Sequence, residues 1–465
     1  SLQGLTVAEA RERAETFIKA LRGEIPASIL DGMGDLAAFQ GLTSFPVRVK
    51  CATLAWHAIL VTLPAALGGN MNGPARRVAG KDAPAAAVRG AKETAQGAAG
   101  KRTPIAAAAG IFESYDPRQG RIFSLLDETG KLAPVSDGIP LLSDEQALAA
   151  YRTMVLSRQV DEWAVSLNRQ GRMPTYVLNK GQEANSVGAL MAVRPDDWFV
   201  PAFRELGGML VRGISVEQYY LYWYGNEWAN HMPVEKYHMT PISVPVGSQM
   251  LHAVGIAWGE RYNGSDRIAL SFMGEGASSE GDFHEACNLA GVWKAGVVFY
   301  AQNNNWSISL PWSKQSASAT LAEKAFAYGF PGVRVDGNDI FAVYAAVTAG
   351  ARHAREGKGP VLIEGLTYRL GAHTTSDDPT RYRSSAEVTE WEARDPILRL
   401  ERYLLKRALI SAEEIVKHRE KSLACAQAAF EETERAPDTN IEDTFRYLFS
   451  DMPQILGEQL DRRRS

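Results

Sequence analysis

Apolar residues at Val7, Ala10, Ala14, Phe17, Ile18 and Leu21 recur at helical spacing and predict one amphipathic helix. Thr6 and Glu9 form a capping-box pair at its start, and Gly23 is its stop. The most apolar run, Cys51 to Gly69, is broken by His57, Pro64 and Gly68. It therefore reads as a buried segment, since a membrane span needs about 20 apolar residues. Residues 71–110 differ in kind. Arg76, Arg77, Lys81, Arg89, Lys92, Lys101 and Arg102 face only Asp82 and Glu93 in an Ala- and Gly-rich stretch. Without large apolar residues it reads as a flexible linker. Its Arg-rich, acid-poor character leaves a transit-peptide reading open, with Met71 as its start.

From Ile111 onward short apolar runs alternate with helical patterns. Arg267 to Met273, a helix over Glu280 to Ala295, and Val297 to Gln302 form one such unit, and Pro360 to Tyr368 is another strand. Apolar runs separated by helices predict an α/β fold with a mostly parallel sheet flanked by helices. The C-terminal part reads as helical. Ser384 with Glu387 and Ser411 with Glu414 form capping boxes, and Pro437 closes the long helix after Ser411. The expected division is an N-terminal extension of unassigned role (1–70), the linker (71–110), the α/β domain (111–405) and a helical segment (406–465).

Composition narrows the function. The chain has 465 residues, 45% apolar and 22% charged, which excludes wholesale disorder. Its 50 basic and 54 acidic residues give a net charge of -4, so no nucleic-acid partner is expected. No membrane role is expected either, and Ser1 begins no secretory signal. Cys51, Cys287 and Cys425 are too scattered for a metal cluster or a disulfide framework, which points to a reducing compartment.

Candidate chemistry starts at the end of a predicted strand with Gly274-Glu275-Gly276-Ala277-Ser278-Ser279-Glu280-Gly281-Asp282. A tight turn is one reading. A dinucleotide fingerprint is a weaker one, because Ser279 stands where the third glycine belongs. Either way the backbone can approach an anion at a helix N-terminus. The partner signal is Asn303-Asn304-Asn305-Trp306-Ser307-Ile308-Ser309, after the run Gly296 to Tyr300. Thirty positions separate Gly274 from Asn304, the length of one strand–helix–strand unit. Two adjacent strand ends would then bring Glu275 and Asn304 together. A carboxylate and an amide oxygen suit Mg²⁺, which takes hard oxygen ligands.

Gly-Glu-Gly, about thirty residues, then Asn-Asn resembles the thiamine-diphosphate motif. Residues 274–285 and 303–309, and Ala-His-Thr-Thr-Ser-Asp-Asp-Pro-Thr-Arg-Tyr-Arg at 372–383, are similar to the alpha subunit of the decarboxylating component of 2-oxo acid dehydrogenase complexes. The resemblance covers about Ile111 to Arg446. It implies the thiamine-diphosphate-binding fold, with Mg²⁺ held by Glu275, the Asn304 side chain and the Trp306 carbonyl. It implies that Arg204 contacts the diphosphate, beside Phe203 where the family usually has Tyr. Gly274, Gly276, Ala277, Gln302, Val244 and Val246 would line the cofactor, with Val246 as an apolar wedge. His373 would act near the reacting carbon, on a loop ordered through Asp377, Arg381, Tyr382 and Arg383. Thr374 matches a serine that some relatives phosphorylate. Ser243, Pro245, Ser248 and Gln249 resemble a structural K⁺ segment of branched-chain members, although a helix N-cap with ordinary packing also explains them.

The implied reaction is oxidative decarboxylation of a 2-oxo acid, with the acyl group passed to a lipoyl-bearing acyltransferase core. The implied partner is a beta subunit, whose Glu completes the site in an assembly of two alpha and two beta chains. Glu at 275 and the Ser243–Gln249 segment favour a branched-chain 2-oxo acid over pyruvate. The expected location is the bacterial cytoplasm, or the mitochondrial matrix in a eukaryote. A non-catalytic scaffold subunit and a dinucleotide-dependent dehydrogenase are the rival readings. Against the first, Glu275, Asn304, Arg204 and His373 are all present.

Overall fold

In the computed structural model the apolar runs of the α/β region are strands buried on both faces. Five parallel strands are β1 (Trp198–Val200), β2 (Ala269–Gly274), β3 (Val297–Asn303), β6 (Gly332–Asp336) and β7 (Val361–Leu366). They lie in the order β1-β2-β3-β7-β6. A short antiparallel hairpin, β4 (Trp306–Ser307) and β5 (Leu310–Pro311), follows β3. This is the expected α/β class. The structure describes residues 7–33, 110–135, 138–437, 439–446 and 448–464. The Cys51–Gly69 run and the linker up to residue 109 lie outside the described residues, as does Thr6.

The chain divides into two units, Ser1–Ala95 and Gln96–Ser465. In the first, helix Val7–Leu21 buries Ala14, Phe17, Ile18 and Leu21, and Leu30 and Met33 complete that small cluster. Gly23 follows the helix at φ +74°, a left-handed backbone suited to a stop.

In the second unit, side chains alternate across the sheet as the strand period requires. Val297, Phe299 and Ala301 join one apolar layer with Met250, Val254, Phe283 and Ala286. Val298 and Tyr300 join the opposite layer with Val187, Phe341 and Val343. Helix Gly281–Trp293 connects β2 to β3, and helix Ile340–Arg355 connects β6 to β7. These crossovers advance across the sheet in opposite directions. Right-handed connections therefore place the two helices on opposite faces. The first packs against helix Ser248–Tyr262, the second against helix Glu183–Met191. The direction reverses between β3 and β7, and folds of this kind bind ligands outside the carboxyl ends of strands at such a point.

Helices Pro396–Lys406 and Ala412–Arg435 share the larger apolar layer through Leu400, Leu404, Ile415 and Phe430. Buried Arg399 ties them to the sheet, donating to Asp336 at 2.7 Å and to the Leu126 carbonyl at 3.2 Å. The capping box at Ser411 and Glu414 forms in full. At Ser384 only half forms: the hydroxyl accepts from Glu387 N, while the Glu387 carboxylate accepts from the Trp306 indole at 2.9 Å. Among the described residues no helix is long and apolar enough to cross a membrane.

Candidate active site

The ladder pairs Gly274 of β2 with Gln302 of β3, so the next residues of both strands emerge side by side. Glu275 opens a 3-10 turn, Glu275–Ser279, and its carboxylate is buried. Asn304 N donates to Oε2 at 3.2 Å, and Ser307 Oγ lies 3.3 Å from Oε1. Burial pushes the carboxyl pKa up, and these donors with Arg369 offset only part of that rise. Asn304 Oδ1 accepts from Trp306 N at 3.2 Å, and its Nδ2 donates to Gln182 Oε1 at 3.2 Å. The Asn304 backbone thus meets the Glu275 carboxylate, while its side-chain amide bonds Trp306 N and Gln182.

The residues after Asn304 fold back tightly. Asn305 and Ile308 have φ of 67° and 58°, a left-handed backbone that is uncommon outside glycine and costly for a β-branched residue. Trp312 N closes the loop on the Asn305 carbonyl at 3.0 Å. The Trp306 ring lies 5.4 Å from that of Tyr382. A side chain at Gly276 would meet Ser307 Oγ at 2.9 Å, so glycine there lets the turn and the hairpin approach closely.

Arg204 lies between β1 and helix Leu206–Val211, with its guanidinium 5.4 Å from the centre of the Phe203 ring. It donates to His373 Nδ1 at 2.9 Å, to the His373 carbonyl at 2.7 Å and to the Leu178 carbonyl at 2.5 Å. Arg369, just after β7, donates to the same Nδ1 at 3.2 Å and to the Ile308 carbonyl at 3.0 Å. Guanidinium groups only donate, so Nδ1 accepts and the imidazole proton sits on Nε2. Burial, then the neighbouring Arg369, lowers the Arg204 pKa to about 9; burial lowers that of Arg369 too. Among the described residues the side-chain partners of both guanidinium groups are carbonyls, the imidazole and the Tyr382 hydroxyl.

The His373 loop is held from both sides. His373 N donates to Asp377 at 2.7 Å, as does the Tyr382 hydroxyl at 2.5 Å. Arg383 donates to the carbonyls of Arg369 (2.5 Å), Leu370 (3.2 Å) and Gly371 (2.5 Å). Arg381 is exposed on a 3-10 turn, and the half-buried Thr374 hydroxyl lies 3.0 Å from that of exposed Ser376.

Among the described residues two buried guanidinium groups and a buried carboxylate without a direct ion pair fit a diphosphate with a divalent metal. Buried amide atoms without a hydrogen-bond partner, Gln182 Nε2 and Gln302 Oε1, add polar capacity beside them. Gln302 donates to Glu205 at 2.5 Å, and burial raises the Glu205 pKa to about 7. Among the described residues no group of three or more His, Cys, Asp and Glu could hold a metal. The metal ligands on offer are thus one carboxylate with amide and carbonyl oxygens.

The Ser243–Gln249 segment brings three of its four predicted oxygens together. Ser243 Oγ lies 2.8 Å from Ser248 Oγ, which donates to the Pro245 carbonyl at 2.9 Å. Gln249 turns away into the sheet and donates to the Phe272 carbonyl at 2.8 Å. Val244 and Val246 are exposed.

Sequence reasoning missed Arg369, Gln182, Glu205 and Gln315. Arg369 had a usable signal, a charged residue between Tyr368 and Leu370 just past a predicted strand. The others carry no local signal.

The family model for the dehydrogenase E1 component matches residues 151–442. The chain is similar to the 3-methyl-2-oxobutanoate dehydrogenase subunit alpha of Mycobacterium tuberculosis, with 43% identity over 328 residues, covering 70% of this chain and 88% of that protein. It is also similar to the pyruvate dehydrogenase E1 component subunit alpha of Staphylococcus aureus, with 37% identity over 338 residues, covering 72% of this chain and 91% of that protein.

Proposed function

Because the chain belongs to the dehydrogenase E1 component family, we propose that it is the alpha subunit of a complex that oxidatively decarboxylates a branched-chain 2-oxo acid. The observation that carries this reading is the convergence of Arg204 and Arg369 on His373 beside Glu275 and Asn304. Arg204 and Arg369 would hold the diphosphate, for which a planar guanidinium fork is well suited. Glu275, Asn304 and the Trp306 carbonyl would hold Mg²⁺. Bound thiamine diphosphate supplies the carbanion and electron sink for loss of CO₂. His373 would act as a proton donor near the reacting centre, with its Nδ1 engaged by both arginines.

A beta subunit completes the site in this reading, and the acyl group leaves on a lipoyl arm. K⁺ at Ser243, Pro245 and Ser248 belongs to the same proposal, as does a reducing compartment such as a bacterial cytoplasm. Pyruvate is the second reading, supported by the likeness to the Staphylococcus aureus protein. The deciding experiment compares rates on 3-methyl-2-oxobutanoate and pyruvate, with and without the beta subunit. Full activity of the chain alone would refute the split site, and a preference for pyruvate would replace the substrate.

A further inference from the structure

The side-chain amide of Gln315 joins the two halves of the candidate metal site. Its Nε2 donates to the Glu275 carbonyl at 3.1 Å and to Ser279 Oγ at 3.1 Å, both on the 3-10 turn after β2. Its Oε1 accepts from Ser307 Oγ, which follows Trp306 in the hairpin after β3. That hydroxyl also reaches Glu275 Oε1 at 3.3 Å. Gln315 ends the single helical turn Trp312–Gln315, whose first amide is tied to the Asn305 carbonyl. The twelve-residue excursion from Asn304 to Gln315 therefore returns to the backbone carbonyl of Glu275, where the turn begins.

We propose that Gln315 is the positioning residue that fixes the Glu275 turn against the Trp306 hairpin and so sets the site's preference for a small divalent cation. The inference rests on the metal reading above and deepens it. It concerns spacing. The turn and the hairpin leave different strands, and beside Gln315 they are tied through the Glu275 carboxylate, by Asn304 N and the Ser307 hydroxyl. Mg²⁺ demands near-ideal octahedral geometry at short distances, whereas Ca²⁺ tolerates longer and irregular coordination. A clamp behind the ligands should matter more for the first ion than for the second.

The test uses the full chain with its beta subunit, saturated with thiamine diphosphate, and titrates MgCl₂ and CaCl₂ by calorimetry. Gln315→Leu is expected to weaken Mg²⁺ by about 10- to 100-fold, the usual cost of losing an outer-sphere partner. Ca²⁺ binding should weaken much less, so the Mg²⁺/Ca²⁺ ratio narrows. Ser307→Ala removes the same bridge without touching the helical turn and should shift the ratio in the same direction. The double variant should add little to either single change. Equal losses for both ions, or no loss for Mg²⁺, would overturn the role of Gln315. Absence of Mg²⁺ binding to the unaltered protein would instead overturn the metal reading itself.

Discussion

Arg204 and Arg369 meet at a single atom: their guanidinium groups donate to Nδ1 of His373 at 2.9 and 3.2 Å. Two buried cations this close repel each other, and burial already disfavours the charged form of each. The arrangement makes sense as one built around an anion.

Inorganic pyrophosphate should therefore stabilise the apo protein. With the Arg204 pKa lowered to about 9, the folded state carries an unfavourable charge at neutral pH. That penalty disappears only as pH rises through about 9 toward the ordinary arginine range. At a pyrophosphate concentration about 100 times its Kd the gain is about 2.7 kcal/mol, read as a rise in Tm over chloride at equal ionic strength. Arg204→Met should abolish the rise.

Glu275→Gln keeps the shape of the turn and removes its charge. Removing one partner of a buried charge pair costs about 3–5 kcal/mol, so Mg²⁺-dependent binding of thiamine diphosphate should weaken by about 100-fold or more. Calorimetry with and without Mg²⁺ reads this directly, and unchanged affinity would sink the metal assignment.

Glu205 gives a pH signature. Its folded pKa of about 7 exceeds the ordinary carboxyl value of 4.5. A raised folded pKa means that the contribution to stability is complete below the unfolded value and is lost as pH rises through about 7. Glu205→Gln should flatten that part of the decline. The difference in urea midpoint between pH 5 and pH 8 should be smaller in the variant than in the parent.

Gly365 sits in β7 opposite Gln302, and a side chain there would fall 2.3 Å from Asn185 Oδ1 and 2.4 Å from the Tyr300 hydroxyl. Gly365→Ala should destabilise the protein by about 1–3 kcal/mol through overpacking. Denaturant unfolding would check it, with a midpoint unchanged from the parent as the contrary result.

The strand–helix–strand unit was legible because strands buried on both faces must be continuously apolar. Glycines at the strand exit then mark the turn, and thirty residues suffice for one crossover. That reasoning brings Glu275 and Asn304 together. It fails where a side chain's partner is distant in sequence. Gln315 reads as one polar residue in a short helical turn, because its three partners come from two other segments. Glu387 fails differently. Its spacing from Ser384 satisfies the capping-box rule, but the Trp306 indole wins the carboxylate, and no local pattern announces that competitor. Gln249 likewise carries the right chemistry for a cation, yet it turns toward β2.

The left-handed backbone at Ile308 bears on how this protein could be improved. A β-branched residue at φ 58° is strained by roughly 1–3 kcal/mol, and glycine or asparagine would relieve it. Its carbonyl is also the acceptor for Arg369. Selection for heat resistance alone would thus drift toward Ile308→Gly, and the same step would slacken the grip on Arg369. Thermostability screens on this scaffold should score cofactor retention alongside melting, because here the two pull against each other.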